Sequence, residues 1–519
     1  MHRPALTAAV FGLFVLAGVA WMVGCSALTC ALRALGGAFI IYLVARLITE
    51  RNAWLALFTA AIFAAALVTL IPLALTTRQA VHVGDPLPTW GGPEPGSVML
   101  RSDPGALVIV ATALGLGTLT SIYSGRYLSR DPRHKLYYPL LLLMVTGLCG
   151  TVLAADLFNL YLFCELMSIA AYTLVAFRRH TRTAIEAGFK YLIMGSVGTL
   201  LFLVGVALIY RERGTIMLPP VTLAPTEPLG TWARAGLTFF LVGLGVKSAL
   251  VPLHTWLPDA HGRAPSSISA LLSGIIIQSA LYALLKVCLG IGMSPWALGG
   301  VLIAVSLANM TLGNTVALAQ TYTKRLLGYS TIAQVGYSVF GIGIGLRYGI
   351  PEAVQAGFFL LVAHAVMKAL AFLSKGVCHF YLDTTSIAEL RGTASQLPLV
   401  AVTFSVALGG LAGVPPLAGF ISKWFILGQA LQPGAPLAYV GLAIFLLNSL
   451  LALGYYLPLI AQLFLAPDAT AAGQTERVRI SRWMAIPLIA AGALVIAIGL
   501  SPGPWWTSMG DVGPYLLGR

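Results

Sequence analysis

Apolar residues run along this chain in blocks of about twenty, the length that crosses the hydrocarbon core of a bilayer as a helix. Fifteen such blocks can be marked, near 5–24, 28–48, 53–75, 105–127, 136–154, 156–177, 188–210, 234–252, 266–290, 297–318, 325–346, 354–375, 396–430, 436–465 and 483–501. The pattern predicts an all-α polytopic membrane protein. The first block could also be read as a signal peptide, but no A-x-A cleavage site precedes the second, so it counts as a span.

Composition agrees with that pattern. Of the 519 residues, 58% are hydrophobic and 9% charged, against about 25% charged in a soluble domain. The net charge of +14 would suggest nucleic acid on a soluble chain. Here the basic residues fall between spans and sort by side. With a cytoplasmic N-terminus, one set of loops carries 16, among them Arg3, Arg51, Arg130, Arg133, Arg178, Arg263, Lys324, Lys375, Arg391 and Arg479. The other set carries 7, from Arg78 to Arg519. That imbalance is the positive-inside bias of a protein in a cell inner membrane, and it excludes nucleic acid as the partner. The six cysteines contain no C-x-x-C pair and read as small buried residues.

Two groups of five spans follow one another, over 136–290 and 297–465. They are preceded by N-terminal helices and an outer loop over 1–104 and a connecting helix over 105–135. A C-terminal loop and last helix follow over 466–519. Five is odd, so the second group enters from the opposite side. The fourth member of each is interrupted, by Pro252, Pro258 and Pro265 in the first and by Gly413, Pro415 and Pro416 in the second. Proline removes a backbone donor, and broken backbone at membrane depth is tolerated only inside protein or beside water. Matching broken helices in two inverted halves point to a transport site.

Ionisable residues inside the spans carry the candidate chemistry. A charge at the bilayer centre costs about 2.5–3.5 kcal/mol on insertion scales. The chain has 8 lysines and 23 arginines, and Lys247, Lys286, Lys368 and Lys423 fall within spans. Lysine can shed its proton when buried, which arginine cannot. Glu165, in mid-span, is a proton acceptor whose charge would bias a nearby lysine. His364 and Lys368 lie four apart on one helical face and suit a relay. Lys423 follows the second break as the counterpart of Lys247. Snorkelling to the interface competes with a relay role at Lys286, near the end of its span. His254 and His261 have no third ligand for a metal and read as loop contacts or proton feeders. No metal or cofactor is expected, and no reaction chemistry in the chain itself.

Long motifs now become recognisable. LFNLYLFCELMSIAAYTLVAF surrounds Glu165, and GLGVKSALVPLHTWLPDAHGRAPSSISALLSG contains Lys247. KRLLGYSTIAQVGYSVFG, HAVMKALAFLSKG and GVPPLAGFISKW follow. Over about 100–465 the chain resembles the antiporter-like membrane subunits shared by respiratory complex I, membrane-bound hydrogenases and Mrp-type cation/proton antiporters. The resemblance implies about 14–15 helices in two inverted five-helix repeats. It implies a coupled Glu165–Lys247 pair, proton passage at His364 and an end of the path at Lys423. It also implies other membrane subunits in a hetero-oligomeric complex, no cofactor, and protons with Na+ or another monovalent cation as transported ions. NSLLALGYYLPLI looks most like the Mrp and hydrogenase branch, so an Mrp-type antiporter subunit is the first assignment. A proton-pumping subunit of a redox-driven complex is the second, and a non-conducting structural subunit the third.

Two departures stand out. The family carries lysine or histidine in the middle of the helix after the signature, where this chain has Gln278. Glutamine can hold a water but takes no proton, so the link between half-channels would run through water, through Lys286 or not at all. Secondly, Lys423 stands where some complex I branches have glutamate, and no long lateral helix follows the last span.

Overall fold

The computed structural model describes residues 52–83, 86–90, 98–178, 181–225, 227–466 and 477–519. The expected spans 5–24 and 28–48 lie outside the described residues, as do Arg3, Arg51, Arg179, Cys25 and Cys30. The elements are α1 (Asn52–Val83), a short ribbon of β1 (Thr89–Trp90) and β2 (Leu100–Arg101), α2 (Pro104–Tyr127), α3 (His134–Leu153), α4 (Leu157–Val175) and α5 (Arg182–Arg213). Next come α6 (Thr231–Lys247), α7 (Trp256–Arg263), α8 (Ser266–Gly290), α9 (Pro295–Leu318), α10 (Thr323–Tyr348) and α11 (Pro351–Leu382). The chain ends with α12 (Pro398–Ala412), α13 (Ala418–Leu431), α14 (Pro436–Phe464), α15 (Arg482–Leu500), α16 (Pro502–Ser508) and α17 (Val512–Leu516). Among the described residues, 10 helices are long and apolar enough to cross a membrane.

Local chemistry sets the helix ends. Asp103, Asp156 and Ser294 cap α2, α4 and α9 by accepting a backbone N–H, which satisfies an orphan donor. Proline opens α2, α9 and α11, where its missing N–H costs nothing. Gly214 and Gly349 close α5 and α10 with φ of 67° and 69°, the left-handed cap that glycine adopts freely.

The two five-helix repeats are α3 to α8 and α9 to α14, each with its fourth crossing split in two. In the first, α6 stops at Lys247 and α7 resumes at Trp256; in the second, α12 stops at Ala412 and α13 resumes at Ala418. Helix ends leave carbonyls without partners, and both breaks solve this alike. The Trp256 indole donates to the Val246 carbonyl at 2.8 Å, and the Gln334 amide donates to the Leu411 carbonyl at 2.8 Å. Asn309 adds a bond from the second repeat to the first break, accepting from the Val251 N–H at 2.8 Å.

Among the described residues α8, α10 and α11 are the innermost elements. Every residue in the most apolar eighteen-residue stretch of α8 is buried, and 94% of that of α11, against 28% for α14, and residues 330–346 of α10 are all buried. Side chains on these three helices are therefore removed from both water and lipid. A π-helical segment, Leu272–Ile276, interrupts α8 one residue before Ile277 and Gln278. Such bulges shift the face a helix presents.

Candidate functional site

The first site gathers on α4 and the end of α6. Glu165, Ser168 and Tyr172 are spaced three and four apart on α4 and so share a face. The Lys247 ammonium meets all three. It donates to the Ser168 hydroxyl at 2.5 Å and the Tyr172 hydroxyl at 3.0 Å. The Glu165 carboxylate lies 3.8 Å away. The lysine side chain is 2% exposed and the glutamate 23%, so the pair is closed at the lysine and open at the acid. Tyr172 packs edge-on to Tyr191 at 4.5 Å, and Tyr191 stacks on Trp256 at 4.1 Å. This aromatic column spans the break and fixes the lysine's surroundings. Beside it α5 and α6 touch backbone to backbone, where a Cβ on Gly243 would collide with the Gly198 carbonyl.

The centre lies between α8, α10 and α11. His364 is wholly buried, and neither ring nitrogen has a hydrogen-bond partner. One turn on, the Lys368 ammonium donates to the Leu327 carbonyl at 2.7 Å and to the Ser330 hydroxyl. No carboxylate lies within ion-pair distance of Lys368 among the described residues. Gln278 is anchored by its amide to the Leu361 carbonyl at 2.7 Å, one turn before His364. His261 stacks on Phe372 at 4.8 Å with both ring nitrogens unpartnered, and it faces Lys368 and His364. His254 lies in the first break, 8% exposed.

The third site is at the second break. The Lys423 ammonium is 3.4 and 3.5 Å from the carbonyls of Leu411 and Ala412 and 4.5 Å from the Tyr337 ring centroid. A helix C-terminus and an aromatic face both favour a cation. Lys423 and Lys368 belong to one polar seam. The Tyr456 hydroxyl faces Ser330 and Gln334. Ser330 holds Lys368, and Gln334 bonds the same Leu411 carbonyl that Lys423 approaches.

Known relatives give the family. The profile of the NADH:quinone oxidoreductase/Mrp antiporter transmembrane family matches residues 154–451, more than half of the chain. The chain belongs to this family. It is 31% identical to NADH-quinone oxidoreductase subunit N of Desulforudis audaxviator, over 85% of this chain and 89% of the relative. It is 34% identical to F(420)H(2) dehydrogenase subunit N of Methanosarcina mazei, over 77% and 80%. Among solved structures, a chain of the membrane-bound sulfane sulfur reductase, an archaeal respiratory membrane complex, superposes with a TM-score of 0.81 at 27% identity, covering 94% of this chain and 98% of that one. A chain of the Mrp complex from Dietzia sp. gives 0.80 at 23% identity over 93% and 96%, a likeness of fold. The protein is thus a multi-pass, antiporter-like membrane protein of this family.

Several expectations change within that family frame. Lys286 does not snorkel: it is 1% exposed and forms an ion pair at 3.3 Å with Asp103, which is also buried. Lys375, counted above as a loop residue, lies inside α11 and donates to the Thr384 carbonyl at 2.6 Å. Lys324 likewise turns inward, bonding the Ala264 carbonyl at 2.7 Å. Lys423 is not the positional counterpart of Lys247, because it follows its break while Lys247 precedes one. Lys423 meets the C-terminal carbonyls of α12, whereas Lys247 meets side chains of α4. Asp103, Tyr282, Ser168, Tyr172, Ser330 and Tyr456 were missed. Asp103 had a signal: an aspartate directly before proline and an apolar run marks a helix cap.

Proposed function

We propose that this chain is a proton-translocating membrane subunit of a multisubunit respiratory complex of the complex I type. The observation that carries the reading is the series of ionisable groups inside the spans: Glu165 on α4 with Lys247 at the first break, His364 with Lys368 on α11, and Lys423 at the second break. Lys368 and Lys423 are met by carbonyls, a hydroxyl and a ring rather than by carboxylates. Buried charges kept without compensation mark ion pathways. Ionisation of Glu165 and Lys247 by turns would drive a proton through His364 and Lys368 to Lys423, with His254 and His261 feeding from the side of α7. Gln278 would hold a water in that path. The chain would sit in the cell inner membrane with its N-terminus in the cytoplasm, beside other membrane subunits.

An Mrp-type antiporter subunit was the first assignment from the motifs alone. The relatives above 30% identity are named as subunits N of redox complexes, whereas the Mrp likeness bears on fold. The reading therefore moves to a redox-driven complex with protons as the transported ion.

The test uses membrane vesicles carrying the whole native complex. Wild type should acidify or alkalinise the lumen when the redox substrate is supplied, with choline in place of Na+. Lys247→Ala at matched expression should abolish that signal while the complex stays assembled. Transport driven only by an imposed Na+ gradient would instead favour the antiporter. Unchanged transport in Lys247→Ala would leave a non-conducting structural subunit.

A further inference from the structure

A second cluster of buried ionisable groups lies away from this line, at the membrane face where α2 begins and α3 and α8 end. Asp103 and Lys286 have side chains 0% and 1% exposed, with oxygen and nitrogen 3.3 Å apart. The Lys286 ammonium also donates to the Val152 carbonyl of α3 at 2.9 Å. The Tyr282 hydroxyl donates to the second oxygen of Asp103. Arg101 on β2, 5% exposed, and Tyr515 on α17, 1% exposed, adjoin the cluster, Arg101 near Lys286 and Tyr282 and Tyr515 near Asp103. These five are the charged and titratable groups that meet there from β2, α2, α8 and α17.

Structure alone gives no reason for the charges. Asp103 caps α2 by accepting the Ala106 N–H at 2.9 Å, a task asparagine performs equally well. A fully buried ion pair adds little net stability over a neutral arrangement of similar shape. The pair is, however, connected to the centre. Gln278, Tyr282 and Lys286 are successively four apart on α8, so they line one face over about 12 Å. At the inner end, Gln278 bonds the carbonyl one turn before His364. At the outer end, Tyr282 and Lys286 both hold Asp103. A polar stripe thus runs along α8, fully enclosed over its apolar stretch, from the His364 imidazole to the loop face.

We propose that Asp103, Tyr282 and Lys286 form a second proton-transfer site, which carries protons between the His364–Gln278 centre and the membrane face at the start of α2. This rests on the proton-translocating reading above. A proton delivered by water to the Tyr282 oxygen displaces the hydroxyl hydrogen to the Asp103 carboxylate, which becomes neutral. The Lys286 ammonium, now without its counter-charge, releases one proton to water at the loop face. Asp103 then returns its proton to the Lys286 amine. The ion pair is restored, and one proton has crossed from centre to face with all charges balanced. The missing titratable group at Gln278 is compensated in this chain eight residues further along the same helix face.

The experiment uses the native complex in vesicles, with protons moved per redox substrate turned over as the readout. The variants are Tyr282→Phe, which keeps the ring and removes only the hydroxyl, the neutral double variant Asp103→Asn/Lys286→Met, and Lys247→Ala as reference. Tyr282→Phe should assemble normally and lower proton transport on the order of a hundredfold, the lower end of the scale of a lost proton-transfer group. The double variant should lose transport wherever it assembles. Wild-type transport in Tyr282→Phe overturns the inference, whatever the double variant does, because a purely structural ion pair would not need that hydroxyl. Wild-type transport in Lys247→Ala as well would remove the proton reading itself. Loss in Lys247→Ala with none in Tyr282→Phe removes only the second site.

Discussion

The two repeats treat buried ammonium groups differently. In the first, each is matched by a carboxylate: Glu165 lies 3.8 Å from Lys247 and Asp103 3.3 Å from Lys286. In the second, Lys368, Lys375 and Lys423 meet only carbonyls, hydroxyls and a ring. A carboxylate partner is itself a titratable charge, so a first-repeat pair can hold zero or one net charge. A carbonyl partner is a fixed dipole, so a second-repeat lysine changes charge alone. The first repeat is built to exchange charge between partners and the second to respond to charge arriving from its neighbour.

The largest difference should appear in stability when one lysine is removed from each repeat. Lys286→Met strands the buried Asp103 carboxylate, and leaving one member of a buried pair costs about 3–5 kcal/mol. Lys368→Met strands only the Leu327 carbonyl and the Ser330 hydroxyl, for which about 1–3 kcal/mol is the scale. Thermal unfolding of the purified complex, followed by loss of this subunit, should rank Lys286→Met well below Lys368→Met. Equal melting temperatures would show that Asp103 is neutral when Lys286 is absent, and would erase the contrast between repeats.

Within the first repeat the two pairs should also separate. Lys247 keeps its hydrogen bonds to Ser168 and Tyr172 when Glu165 is neutralised, so Glu165→Gln should cost less stability than the scale of about 3–5 kcal/mol for Lys286→Met. Its effect on transport should be as severe as that of Lys247→Ala, since the charge that biases the lysine is gone. Proton transport and melting of the same preparation check both. A large loss of stability with transport intact would make Glu165 a structural partner of α6.

These contrasts explain how much could be read beforehand. The helices, both breaks and the residues Glu165, Lys247, His364, Lys368 and Lys423 were legible, because long apolar blocks and lone charges within them are strong local signals. The partners of those charges were not. Ser168, Ser330 and Tyr456 are ordinary residues in a helix, and only tertiary packing turns them toward an ammonium. Asp103 lay beyond the assumed core and read as loop, although its cap signature was present. Lys375 was misread because its span end was drawn from hydropathy, and Lys286, in a span drawn with the observed bounds, was left between snorkelling and a relay because Asp103 was not recognised as its partner. The helix carrying Lys375 runs to Leu382, and buried partners let a charge sit inside it.

The smallest expected effect concerns the seam inside the second repeat. Tyr456 is buried on α14, its hydroxyl facing Ser330, Gln334 and Tyr455, and the Tyr455 hydroxyl is engaged with Asn314 at 2.9 Å. Tyr456→Phe therefore removes one bridging group and leaves the packing of α10 against α14 in place. The Tyr456 hydroxyl has no hydrogen-bond partner of good geometry among the described residues, so its removal should leave the subunit assembled. If protons pass from Lys368 to Lys423 along Ser330, Tyr456 and Gln334, transport should slow several-fold. A water in the vacated space could partly replace the hydroxyl, so the loss should be smaller than for either lysine. The slowed step should carry a larger solvent isotope effect than wild type, measured as the ratio of transport rates in H2O and D2O. An unaltered rate and isotope effect would mean that Lys368 and Lys423 exchange protons by another route, and the second repeat would then differ from the first in having its lysines connected by water alone.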